Sequence, residues 1–299
     1  MGNSVRIRFR LVGVAAVALL AAGVVSWLLG GMAFADPVTG SDANGTYLAL
    51  GDSVAFGYVP PQAVPPPKYQ VAHSFVAYPE YLAQQLDERV WNAACPGETT
   101  ASMLRAGAQS TGCENSVGST VGYSTLYPLH VQYQGTQMAF ALSYLAAHKH
   151  TRLITIDIGV NDAFLCQETT ADRCSSTAEL AGVAAEITSN LSSIYQQLRQ
   201  VAGYEGPIVA LTYYSLNYAD PAQVAGTQFL DSLIANVTTA NGGIVANGFA
   251  AFQTPSAAFG GDPCAAGLLI KLPDGSCDIH PSPEGHQLLA AAIAKAIGA

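Results

Sequence analysis

Charge is what this chain has least of. Only 11% of its 299 residues are charged, while half are hydrophobic. That balance excludes a disordered chain and leaves ample apolar surface for a core. Basic residues are the scarcest: 12 Lys and Arg stand against 21 Asp and Glu, and Arg6, Arg8 and Arg10 crowd into the first ten residues. Without residues 1–35 the balance is nine against 21, a net charge of −12. Such a surface repels nucleic acid and anionic membrane, and no basic stripe or RNA-binding motif offsets it. A nucleic-acid partner is therefore not expected. Cysteine is missing before Cys95, which excludes a lipid-attachment cysteine near the start. There is no C-x-x-C and no H-E-x-x-H, and the cysteine spacings are too long for a zinc knuckle, so no metal is expected. Ser53, singled out below, lacks the G-x-S-x-G elbow of a standard α/β-hydrolase. Internal repeats and a second composition block are absent too, which points to a single domain.

What is present starts with a leader. After the three arginines, residues 11–34 are apolar or small apart from Ser26, and Ala33-Phe34-Ala35 supplies an A-x-A cleavage site. Residues 1–35 read as a signal peptide, residues 36–45 as a polar linker and 46–299 as the globular domain. The apolar run is long enough to span a bilayer, so an uncleaved anchor over residues 11–34 is the alternative. Either way the domain is expected outside the cell, and it needs no obligate protein partner and reads as a monomer. Six cysteines remain, an even count that reads as disulfides in an exported protein. They allow 15 pairings. Their grouping in three local pairs favours Cys95–Cys113, Cys166–Cys174 and Cys264–Cys277.

Apolar runs and helical periodicities alternate along the domain. Strands are expected at 46–51, 90–94, 153–158, 207–213 and 243–247, and helices at 75–86, 136–147, 177–201, 221–241 and 283–297. Ser282 as N-cap, Pro283 at the first helical position and Glu284 in the first turn mark the start of the last helix. Short, near-continuous apolar strands between helices predict an α/β domain with a mostly parallel sheet covered on both faces.

Such sheets bind ligands beyond the carboxyl ends of their strands. Ser53, Gly97 and Asn161 follow the first, second and third expected strands, so three separate strands deliver them to one edge. Gly-Asp-Ser alone could be a turn, a glycine after a strand usually is one, and Asn161 could simply cap an Asx-turn. As a set they offer a nucleophile, an unobstructed backbone N–H and a neutral amide donor. Six histidines compete for the role of base. His280 stands out because Pro281 holds it extended just before the last helix, whereas His286 lies inside that helix and is expected to pack or cap.

Together Tyr47 to Ser53, Ala94 to Thr100, Ile158 to Asp162 and Asp278 to Pro281, with Gly285 and His286 following, resemble the blocks of the SGNH (GDSL) hydrolase family. The resemblance covers 46–299 in the right order and is nearest to the secreted bacterial lipase/esterase branch with three local disulfides. It implies a flavodoxin-like three-layer α/β/α fold and ester hydrolysis through an acyl-serine, with no cofactor. It also implies an oxyanion hole formed by Ser53 N–H, Gly97 N–H and the Asn161 side chain. One departure stands out. The family's acid sits three residues before the histidine, where this chain has Cys277, and the nearest acid is Asp278. Catalytic Ser53 and His280 are therefore joined by Asp278 only if residues 278–280 run extended, which puts both side chains on one face; otherwise a Ser–His dyad remains. The substrate expected is a small or lipid ester, because apolar stretches at 56–58, 59–67 and 249–259 lie near these blocks. The alternatives are a carbohydrate O-acetylesterase and a non-catalytic binding module.

Overall fold

The computed structural model describes residues 45–299. The leader over 1–35 and almost all of the linker lie outside the described residues. Five strands build the central sheet: β1 (Thr46–Gly51), β2 (Arg89–Asn92), β3 (Thr151–Asp157), β4 (Ile208–Leu211) and β5 (Ile244–Ala246). All pair in parallel in the order β2-β1-β3-β4-β5, with Leu48 opposite Trp91 on one side and Ile154 on the other. β1 and β4 are buried along their whole length, which is why they are continuous apolar runs rather than alternating ones.

The covering helices are α1 (Ser53–Phe56), α2 (Tyr78–Leu86), α3 (Thr100–Leu104), α4 (Tyr123–Leu126), α5 (Gln137–Ala147), α6 (Val160–Thr169), α7 (Thr177–Gln196), α8 (Pro221–Ala240), α9 (Gly248–Ser256) and α10 (Pro283–Ile297). α10 packs with α2 and α9, while α7 packs with α3 and α8. The two groups follow from handedness. The crossover from β1 to β2 runs one way along the sheet and that from β2 to β3 runs back, so right-handed connections place their helices on opposite faces. Leu82, Leu289 and Ile293 fill one side, and Leu191, Ile194 and Ile234 the other. Each such side chain, fully buried, contributes about 1.5–3 kcal/mol. Helix starts are set by side-chain caps: Thr136, Ser176, Asp220, Asn247 and Ser282 each accept a backbone N–H of the first turn.

The fold is the expected α/β/α sandwich, and its reversal of strand order between β1 and β3 opens a crevice at their carboxyl ends. Besides the short helices α1, α3 and α4, three segments differ from the sequence reading. Residues 160–169, for which no element was expected, form α6, with Cys166 near its end. Residues 249–256 belong to α9, where Phe249 and Phe252 are buried and Pro255 is tolerated close to the helix end. Residues 277–281 form β7 (Cys277–Pro281), which pairs antiparallel with β6 (Leu269–Lys271). The three disulfides are Cys95–Cys113, Cys166–Cys174 and Cys264–Cys277. Among the described residues no helix is long and apolar enough to cross a membrane.

Candidate active site

Ser53 opens α1 straight after β1, on a turn that only glycine could form. Gly51 has φ +149°, and a Cβ there would sit 2.3 Å from the carbonyl oxygen of Asp157. The turn is clamped on both sides. Asp52 N–H donates to the Asp157 carbonyl at 3.0 Å, and buried Gln137 accepts the Gly51 N–H at 2.6 Å while donating to its carbonyl at 3.0 Å. Asp52 caps α1 by accepting the Val54 N–H at 2.9 Å.

His280 arrives from the opposite end of the chain on β7. Its Nε2 lies 2.9 Å from Ser53 Oγ, and its Nδ1 meets Asp278 Oδ1 in a short contact. The extended strand puts 278 and 280 on one face, so the acid reaches the imidazole from two residues away instead of three. Asp278 also accepts the His280 N–H at 3.0 Å. Burial works to raise its pKa, yet these bonds and the charge of His280 hold the carboxyl below its ordinary value. With Nδ1–H donating to Asp278, Nε2 is left to accept from the serine hydroxyl. The strand itself is held by the Cys264–Cys277 bridge and by Tyr214, whose hydroxyl donates to the Ile279 carbonyl at 2.8 Å. Tyr58 lies beside the imidazole, ring centroids 5.0 Å apart.

Gly97 and Asn161 line the same cavity as Ser53 and His280. Gly97 has φ +80°, and a side chain there would run into Gly112 N at 2.5 Å. The Asn161 amide is fixed at both ends. Its carbonyl oxygen accepts from Thr111 Oγ1 at 2.8 Å, and its Nδ2 donates to Asp52 Oδ2 at 3.3 Å, which leaves one N–H uncommitted. The other histidines stand apart: His280 is the one histidine lining this cavity. His286 is buried inside α10, where burial and the charge of His280 push its pKa down to about 3, so it stays neutral.

Sequence reasoning missed the groups that brace these residues. Asp52 is fully buried and also accepts from Tyr213 OH at 2.7 Å; burial raises it to about 6 against that bond. Glu98 is buried too, raised by desolvation to about 8, and it receives Gln137 Nε2 at 3.1 Å and contacts Ser102. Gln137 thus ties the Gly97 loop to the Ser53 turn. Asp162 accepts from Thr100 through its N–H at 2.9 Å and its hydroxyl at 2.5 Å, tying α6 to α3. The available signal was that each acid sits beside a block residue in an otherwise uncharged stretch. Thr111 gave no such signal.

The cavity holds about 880 Å³. Its inner wall is aliphatic and aromatic, from Phe164 on α6, Val183 and Ile187 on α7, and Leu230 and Leu233 on α8. This corrects the expected source of the apolar lining. Of residues 56–58 only Tyr58 faces the cavity, and none of 59–67 or 249–259 does, because Phe56 is buried in the core and α9 packs against α10. No Lys or Arg lines it, and Glu168 is its one carboxylate.

The model of the GDSL-like lipase/acylhydrolase family matches residues 49–288. The chain belongs to this family of ester hydrolases. Among solved structures, an acetylxylan esterase from Geobacillus stearothermophilus is 18% identical with a TM-score of 0.51, over 85% of this chain and 94% of that one. Phospholipase A1 from Streptomyces albidoflavus is 20% identical with a TM-score of 0.53, over 85% of this chain and 100% of that one. At these identities the likeness is one of fold. Among curated proteins, none matches the chain.

Proposed function

We propose that this family member is a secreted carboxylic-ester hydrolase of lipase/esterase type that works through an acyl-Ser53 intermediate. The observation that carries the chemistry is the line of contacts from Asp278 through His280 to Ser53 Oγ, at the mouth of a large apolar cavity. As Oγ attacks the ester carbonyl, His280 Nε2 takes the hydroxyl proton and Asp278 steadies the imidazolium. Ser53 N–H, Gly97 N–H and the uncommitted Asn161 N–H hold the developing oxyanion. His280 then protonates the departing alkoxide, and water activated by the same nitrogen releases the acid and restores Ser53. No step calls for a metal or an organic cofactor. Export is supported by three disulfides within one domain.

Acyl esters with more than a few carbons are favoured over acetylated glycans. A cavity of about 880 Å³ lies at the upper end of the ~300–1,000 Å³ typical of small-molecule sites, far more than an acetyl group needs. Its walls carry aliphatic side chains, whereas a sugar site needs ranks of planar polar groups. A chain-length series of p-nitrophenyl esters, run beside an acetylated xylan, tests this. The expected result is kcat/KM rising from acetate to mid-length acyl chains, with little release from the glycan. Highest turnover on the glycan would instead favour an O-acetylesterase.

A further inference from the structure

Eleven large hydrophobic side chains stand exposed among the described residues, and six of them line the mouth of the Ser53 cavity. They are Val121, Leu126 on α4, Leu180 on α7, Leu216, Phe229 on α8 and Ile279 on β7. Single exposed apolar residues are ordinary, but contiguous ones mark an interaction surface. Here residues from separate stretches of the chain, as far apart as 121 and 279, converge on one opening. Leu126 is 55% exposed and Phe229 49%.

We infer that this apolar rim is an interfacial face that seats the cavity mouth on an uncharged or zwitterionic lipid surface. The inference rests on the acyl-ester reading above and adds where the substrate is met. Two observations select lipid over other occupants. A protein partner or a second copy seated on this rim would cover the opening that leads to Ser53, whereas a lipid surface presents the substrate itself. An acyl chain leaving that surface passes from apolar rim to apolar cavity without crossing water, which removes the cost of hydrating it on the way. The charge pattern selects the kind of lipid. The lining carries Glu168 and no Lys or Arg, and the chain is acidic as a whole, so anionic headgroups find no Lys or Arg in the lining to pair with. Seating therefore depends on apolar contact alone, without the cationic assistance that most surface-bound helices use.

The test measures binding apart from catalysis. The full chain, as wild type and as a Leu126→Ser/Phe229→Ser double variant, is sedimented with phosphatidylcholine vesicles and with phosphatidylglycerol vesicles. A Val64→Ser/Phe259→Ser variant, altered at exposed positions away from the mouth, serves as control. Hydrolysis of soluble p-nitrophenyl acetate by the wild type reports independently on the proposed chemistry. The expected result is wild-type binding to phosphatidylcholine, a loss of at least tenfold in the rim variant, and retention in the control. Equal binding by the rim variant overturns the inference, since residues outside the rim, such as 11–34, would then be responsible. Preference for the anionic vesicles overturns it as well, and so does a rim-dependent dimer in gel filtration without vesicle binding. Soluble-ester turnover without vesicle binding removes the interfacial face and leaves the hydrolase reading intact; vesicle binding without any turnover does the reverse.

Discussion

In the proposed reaction, Asp278 decides whether His280 works alone or within a triad. Its carboxylate meets Nδ1 and sits below its ordinary pKa, so it is ionised wherever the enzyme operates near neutral pH. Replacing it by asparagine keeps the shape but favours the wrong imidazole tautomer, and kcat should fall on the order of 10⁴. A loss under about tenfold would mean a dyad. Thr111 makes a subtler case. Its hydroxyl occupies the Asn161 carbonyl oxygen and so turns the amide nitrogen toward the site. Thr111→Val should lower kcat with KM little changed, by less than the ~10²–10³ expected when Asn161 itself is lost. A change in KM alone would show that Thr111 shapes substrate binding rather than the oxyanion donor.

Among the elements, β7 carries the most. It delivers both Asp278 and His280, and the Cys264–Cys277 bridge anchors its first residue. Closing loops of this size contributes about 3 kcal/mol on the chain-entropy model. The activity consequences of the bridges should differ. Cys264→Ser/Cys277→Ser should cost more kcat than Cys166→Ser/Cys174→Ser at a temperature where both variants are folded, as steady-state kinetics would show; equal losses would mean that β7 holds its geometry without the bridge. The elements also show what was readable in advance. Strands such as 46–51 announce themselves because burial on both faces demands an unbroken apolar run, and α10 does so through Ser282, Pro283 and Glu284. α6 stayed hidden because Gly159 and Asn161-Asp162 are turn formers, and the helix is held by the tertiary bonds of Asp162 to Thr100. α9 was masked by Pro255, and β7 by its composition, since Cys277-Asp278-Ile279-His280-Pro281 has no apolar run and ends in proline. Ser53, Gly97, Asn161 and His280, picked out where the proposed chemistry asks for a particular residue type, do come together in one cavity. The site was not legible where packing decides, as with the cavity wall supplied by α6, α7 and α8.

Across the whole molecule, the buried acids couple stability to pH. Desolvation raises Glu98 to about 8 and Asp231 to about 7, well above their values in the unfolded chain. The folded protein therefore holds protons that the unfolded chain has released between roughly pH 4.5 and 8, and stability falls as pH rises through that window. Glu98→Gln mimics the protonated acid and should keep the bonds to Gln137 and Ser102. Melting temperatures at pH 5 and pH 8 should converge in this variant relative to wild type; an unchanged slope would mean that Glu98 is ionised in the folded state.

The central claim is that Ser53 is the acyl-accepting nucleophile, and an alkyl fluorophosphonate addresses it directly. Intact-mass measurement followed by peptide mapping should find one adduct, on Ser53, with esterase activity lost in step and no adduct on Ser53→Ala. Full hydrolysis of p-nitrophenyl butyrate by Ser53→Ala, or an adduct at another residue accompanying inactivation, would contradict the account.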